Sequence, residues 1–415
     1  MRFFFPDSQD QIDPGFDLLT EERSPLRVRQ RDDLYLHEAL RAHVIDGLLV
    51  SRAIVDGQPG AAGKYTMAHR HRLYRQGVRQ FFRLDAAPGP PVQTMGDCGA
   101  FSYVRDEAPP YTPDQVIDFY AECGFDLGIS VDHVILGYDP AADTDADHPQ
   151  IQGWGGRQQL TLDLAAEFLA RCRARKAGFE PVGVAQGWSP ASYARAVSEL
   201  QRIGYTRIAV GGMVPLKDQQ ILACLRQIST IRKPGTQLHL LGITRCARMA
   251  EFAALGVTSF DSTSAFRQAF KDDKDNYHTP ERTYTALRVP QVDGNPRLKA
   301  AIQAGRVGQR DAIKREQACL RLLRDYDSGK VPVRDVLDAL TGYQEIFDGR
   351  RDYSQAYQTI LEQAPWKHCP CGICERAGID VAIFRGSERN KRRGFHNVYA
   401  FRQRLNRELA AGRAA

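Results

Sequence analysis

Short β-rich runs alternate with single helical patterns through the middle of this chain, and run after run ends on a polar residue or a glycine. Residues 127–137 read as a buried strand, followed by an amphipathic helix over 160–178. A strand over 180–187 leads into a helix opening at Ser189-Pro190, an N-cap residue followed by one suited to the first helical position. Strands over 206–213, 237–243 and 257–262 are separated by helices over 217–232 and 245–255, the latter closing near Gly256. Earlier, a strand near 93–97 precedes Thr112-Pro113-Asp114-Gln115, which has the form of a capping box. Strands spaced by single helices imply parallel βαβ units. A barrel and an open doubly wound sheet share that pattern. The strand-end residues Asp97, Asp132, Gln186, Gly211-Gly212 and Asp261 favour a (β/α)8 TIM barrel, which collects its chemistry on the face where strands end.

The expected boundaries are a catalytic barrel over 1–277, a helical, charged insertion over 278–365, a metal-binding subdomain over 366–400 and a basic helical tail over 401–415 that frays. A length of 415 residues suits a barrel with insertions. The formal charge of +6 is a mild excess, compatible with nucleic acid without identifying it. The opening MRFFFPDSQD holds an apolar run too short for a signal peptide. No stretch approaches the roughly 18 apolar residues of a membrane span, so no membrane partner and a cytoplasmic location are expected.

Nine cysteines in such a chain suggest thiols and metal rather than disulfides. Cys369, Cys371 and Cys374 fall within six residues, and His396 follows with 21 residues between it and Cys374. Three thiolates and one imidazole make a closed tetrahedral set, the usual make-up of structural zinc. His368 competes as the nitrogen ligand, but its adjacency to Cys369 makes good geometry for both harder. A closed set leaves no position for water, so this zinc is expected to be structural.

Cys369, Cys371, Cys374 and His396, with Asn397 beside it, resemble the zinc motif of the tRNA-guanine transglycosylases. Four further segments resemble that superfamily in order. Gly96-Asp97-Cys98-Gly99-Ala100-Phe101 is similar to its Asp-Ser-Gly-Gly-aromatic loop, and Val184-Ala185-Gln186-Gly187 to its Val-Gln-Gly turn. Val210-Gly211-Gly212-Met213 resembles its Gly-Gly-Leu segment, and Leu240-Leu241-Gly242-Ile243 with Phe260-Asp261 resembles its Leu-Met-Gly-Val and Phe-Asp pair. The likeness runs from about residue 90 to about 400. It departs at Ala100, where the family has glycine, and at Ser262–Phe266, which replaces a Pro-Thr-Arg segment of which only Arg267 is recognisable. A retained base pocket with a changed polynucleotide contact resembles the DpdA-type DNA-guanine transglycosylases most.

The resemblance implies a division of labour between two carboxylates, as in retaining glycosidases. Asp261 would be the nucleophile at the sugar carbon, and Asp97 the general acid and base at the departing and arriving bases. Asp132, read as lying inside an apolar strand, would accept the donors on one edge of guanine. Gln186 and the Gly212 N–H would donate to the purine carbonyl. Gly211, Met213 and Gly242 would complete the pocket, with Phe101 and Leu241 sandwiching the base. Each has a plainer reading: a cap or surface charge for Asp261, a turn residue for Asp97, a barrel salt bridge for Asp132, core for Phe101 and Leu241. Arg267, Arg389, Lys391, Arg392 and Arg393 would meet phosphates, although a charge run is as often a solvated face.

The implied reaction is exchange of guanine in DNA for a 7-deazaguanine base, 7-cyano-7-deazaguanine by the resemblance, through a covalent aspartyl–sugar intermediate. The target nucleotide must be flipped out or unpaired. Accessory DNA-modification proteins and a homodimer are compatible with this reading. A tRNA transglycosylase and a non-catalytic zinc-containing nucleic-acid-binding protein are the alternatives.

Overall fold

The computed structural model describes residues 1–58, 60–145, 147–271 and 273–414. Eight parallel strands close into a barrel. They are β1 (Arg2–Pro6), β2 (Gly47–Ser51), β3 (Gln93–Asp97), β4 (Leu127–Ile129), β5 (Glu180–Ala185), β6 (Arg207–Val210), β7 (Gln237–Leu240) and β8 (Val257–Asp261). The ring is sealed by β1 pairing with β8, with Arg2 opposite Ser259 and Phe4 opposite Asp261. A strand's period of two puts Leu127 with Ile129, and Val182 with Val184, on the same side. These residues join Phe4, Leu49, Met95 and Ala209 in one buried cluster.

The expected caps are present. Thr112 Oγ1 accepts from Gln115 N–H at 3.4 Å, Gln115 Oε1 accepts from Thr112 N–H at 3.0 Å, and the helix Pro113–Cys123 follows. Ser189 Oγ accepts from Ser192 N–H at 2.9 Å ahead of the helix Pro190–Ile203. The helix expected over 160–178 runs instead over Ile151–Ala174. The one expected over 245–255 is a short turn followed by Met249–Ala254. The strand expected over 127–137 stops at Ile129. Residues 130–135 remain buried outside any strand, with Ser130 N–H still donating to the Val182 carbonyl at 2.9 Å.

The chain divides into two compact units, and not at the expected boundaries. The barrel unit comprises Met1–Gln9, Ile45–Thr263 and Leu405–Ala415; the second comprises Asp10–Val44 and Ser264–Arg404. The expected insertion and metal-binding subdomain thus form one unit, joined by the segment between β1 and β2. Ion pairs give the reason. Arg385 reaches Glu21 at 2.6 Å and Glu316 at 2.7 Å, Arg23 reaches Glu388 at 2.8 Å, and Arg389 pairs with both Glu21 and Asp380. The second unit is helical as expected, chiefly Gln309–Asp327, Val333–Asp348 and Ser354–Gln363. It also contains two small two-stranded sheets. The tail expected to fray is the end of a continuous helix, Gly386–Ala414. Among the described residues no helix is long and apolar enough to cross a membrane.

Candidate active site

The ends of the barrel strands bring the expected groups to one face. Asp97 and Asp261 are the last residues of β3 and β8. Asp132, Gln186, Gly211, Gly212, Leu241 and Gly242 lie just past the ends of β4, β5, β6 and β7.

Asp132 is 2% exposed and is held by protein donors on both oxygens. Gln186 Nε2 donates to Oδ2 at 2.7 Å, and the Cys98 thiol donates to Oδ1 at 3.4 Å. Tyr103 OH lies 3.0 Å from Cys98 Sγ and donates to the Asp132 carbonyl at 3.1 Å. Burial and the Asp132 and Asp97 charges push the Cys98 thiol well up, which keeps its proton on sulfur for donation. Burial raises the Asp132 carboxyl to about 6, and the Gln186 and Cys98 donors oppose that rise. Gln186 is fixed in turn, since its Oε1 accepts from Ile135 N–H at 3.3 Å. One N–H of the Gln186 amide is thus given to Asp132. Gly212 has a φ of +73°, and a Cβ there would stand 2.3 Å from the Ile135 carbonyl, so the close approach requires glycine.

Asp97 is half-buried, and its carboxyl is raised to about 7 by burial first and then by the Asp132 and Asp261 charges. A carboxyl that exchanges its proton near neutrality is suited to acting as both acid and base.

Asp261 is 7% exposed. Its Oδ1 accepts from Gly242 N–H at 3.0 Å and faces His239 Nε2 at 3.1 Å. His239 is wholly buried, with Nδ1 2.9 Å from Ser259 Oγ and the Phe4 ring edge-on at 5.6 Å. Sequence reasoning missed His239, Ser259, Cys98 and Tyr103 as members of the site. The available signals were a histidine in the apolar run QLHLLGI and the cysteine beside Asp97.

Phe101 is 53% exposed, and Leu241 is half-buried against the barrel cluster. Met213 is fully buried and belongs to the core, not to a pocket wall. Arg267 is exposed in the second unit. The basic run departs from its expected phosphate role. Arg389, Arg392 and Arg393 are buried. Arg393 donates to the Val381, Ile383 and Ala269 carbonyls, Arg392 to Glu388 and the Asp13 carbonyl, and Lys391 to the Gln11 carbonyl. Guanidiniums spent on internal acceptors are not available to a polynucleotide.

In the second unit, Cys369, Cys371, Cys374 and His396 place their ligand atoms within 4.8 Å of one another, a cluster that could hold a metal ion. His396 Nδ1 lies 3.5, 3.6 and 3.2 Å from the three sulfurs. Its Nε2 donates to the His278 carbonyl at 2.7 Å, which fixes the tautomer with Nδ1 as the free ligand atom. Tyr277 stacks on the imidazole at 4.3 Å. His368 is exposed and outside the cluster.

No family model matches the chain. A curated relative, the DNA-guanine transglycosylase of Salmonella montevideo, is 46% identical over 414 residues, covering 99% of this chain and 98% of its own length. The match covers nearly the whole chain, both units included. This chain therefore belongs to the DNA-guanine transglycosylases, guanine-exchanging enzymes of the tRNA-guanine transglycosylase superfamily.

Proposed function

We propose that this enzyme replaces guanine in DNA with a 7-deazaguanine base, 7-cyano-7-deazaguanine, through an aspartyl–sugar intermediate. The observation that carries the reading is the set of three carboxylates at one barrel mouth, one anchored through a single oxygen and one raised to about 7. The relative's name supplies the polymer. Both donors to Asp261 engage Oδ1, which leaves Oδ2 to attack the sugar C1′. The C1′–N9 bond breaks, its electron pair goes to N9, and Asp97 supplies the proton there. Asp97, now a carboxylate, takes the N9 proton of the incoming base. That nitrogen attacks C1′ and Asp261 leaves as carboxylate. Asp132 reads the donor edge of the base, with Gln186 and Cys98 orienting it.

Cys369, Cys371, Cys374 and His396 would hold zinc, which this donor set suits. It would fasten the second unit, and no step of the reaction passes through it.

The test is incorporation of labelled guanine by purified enzyme, offered DNA or tRNA. Label in DNA is expected. Label confined to tRNA would overturn the polymer assignment.

A further inference from the structure

With the 389–393 run turned inward, the barrel unit offers another basic surface. Residues 57–80, between β2 and β3, contain five lysines and arginines and no aspartate or glutamate. Two are spent locally: Arg79 pairs with Asp85 at 2.8 Å, and Arg72 lies 4.7 Å above the Phe81 ring. Lys64 and Arg75 are exposed. Arg70 is 40% exposed, and its contact with Asp56 is a long 3.6 Å. On the helix Met67–Phe81, the exposed residues Met67, His71 and Arg75 recur every four positions and so form one stripe.

Two observations place this surface at the rim of the active site. Ser51, the last residue of β2, is the register partner of Asp97 on β3, so the segment leaves the barrel beside the catalytic carboxyl. The segment is also fastened to the loop carrying the exposed Phe101. Ser102 Oγ donates to Gln58 Oε1 at 2.8 Å, Gln58 Nε2 donates to the Ser102 carbonyl at 3.1 Å, and Tyr111 OH donates to the Gly57 carbonyl at 2.5 Å.

We infer that Lys64, Arg70 and Arg75 hold the phosphates of the DNA strand flanking the nucleotide presented to Asp97 and Asp261. The segment itself carries no acidic residue, its flanking Asp56 and Asp85 meet only Arg70 and Arg79 of its five cations, and its positive excess matches a polyanionic backbone. Backbone contacts of this kind position a strand without reading its sequence. The inference rests on the reading of the enzyme as acting on DNA.

The experiment compares wild type with the double variant Lys64→Ala/Arg75→Ala. A second double variant, Lys330→Ala/Arg334→Ala, removes equal charge from residues 69% and 87% exposed in the second unit. Affinity for a labelled DNA oligonucleotide is measured across a salt series, alongside guanine incorporation into DNA and binding of free guanine. Loss of two phosphate contacts should flatten the log Kd against log salt slope by about 2 and weaken binding about tenfold or more at low salt. Free guanine binding should not change, and the Lys330/Arg334 variant should behave as wild type. If wild type labels DNA and all three salt slopes coincide, this surface is not the backbone contact and the reaction assignment stands. An equal loss in both variants would likewise overturn the surface, since net charge alone would explain it. If wild type labels no DNA, the reaction assignment fails and this inference falls with it.

Discussion

His239 Nε2 lies 3.1 Å from Asp261 Oδ1, while the opposite ring nitrogen meets Ser259 Oγ at 2.9 Å. The imidazole is thus held at both ends by residues two apart on β8. With Nε2–H donating, it fixes one oxygen of the carboxylate and aims the other. Replacing it should misorient the nucleophile more than it weakens base binding. His239→Phe should lower the single-turnover rate of sugar transfer by about 10–100-fold, the equivalent of about 1.4–2.7 kcal/mol, with KM for the base little changed. His239→Gln, whose amide can still donate, should recover part of that loss. Equal rates in His239→Phe and wild type would remove His239 from the mechanism.

The two carboxylates should fail differently. Denaturing electrophoresis of enzyme with labelled oligonucleotide, in the absence of incoming base, should show a protein–DNA band in wild type and none in Asp261→Asn, because an amide is a poor nucleophile. Asp97→Asn should slow both halves of exchange by about 100-fold or more while still trapping a little adduct. A band that persists in Asp261→Asn and vanishes in Asp97→Asn would mean the two roles are reversed.

Asp97 also carries a pH signature. In the mechanism proposed above its protonated form starts the reaction, so adduct formation in wild type should decline as pH rises through about 7. The same shift bears on stability. A carboxyl raised from 3.8 to about 7 favours folding below 3.8, and that contribution is lost as pH rises through 7. Asp97→Asn should therefore be more stable than wild type at pH 8, by about 1–3 kcal/mol after allowing for partial solvent screening, and no more stable near pH 4. Urea unfolding at the two pH values measures this. A mutant with no advantage at pH 8 would show that the carboxylate is not strained there.

Metal and stability should be lost together in the second unit. Cys371 is 1% exposed, and its sulfur also accepts from Cys374 N–H at 3.4 Å. Cys371→Ser should lower bound zinc, measured by elemental analysis, and the thermal midpoint. Loss of metal with an unchanged midpoint would contradict a structural role.

The strand-end position of the candidate carboxylates was legible because Asp97 and Asp261 each close a β-run. Asp97 and Asp261 needed only a correct strand end. Asp132 was placed inside a strand because residues 131 to 135 are as apolar and buried as a strand, although they pair with no neighbour there. β1 and β2 went unread, since FFF and GLLV are short apolar runs and residues 10–44 interrupt the βα rhythm between them. The 389–393 run misled because composition does not reveal partners. Glu21, Asp13 and Gln11 lie more than 360 positions away in sequence. His239 and Asp261 are 22 residues apart on neighbouring strands, a spacing with no local pattern to betray it.

The pairing of β1 with β8 has a consequence for how the chain is made. Residues 2–4 leave the ribosome first but cannot join the ring until residues 259–261 have followed. Segment 10–44 has a longer wait, because the arginines that pair with Glu21 are translated only at 385 and 389. Folding in order of synthesis, one unit after another, is therefore closed to this protein. The barrel ring cannot close before residue 261 has emerged, and segment 10–44 cannot complete its ion pairs before residue 389. A nascent chain halted at residue 263 should still be protease-sensitive across 10–44, whereas the released chain should resist.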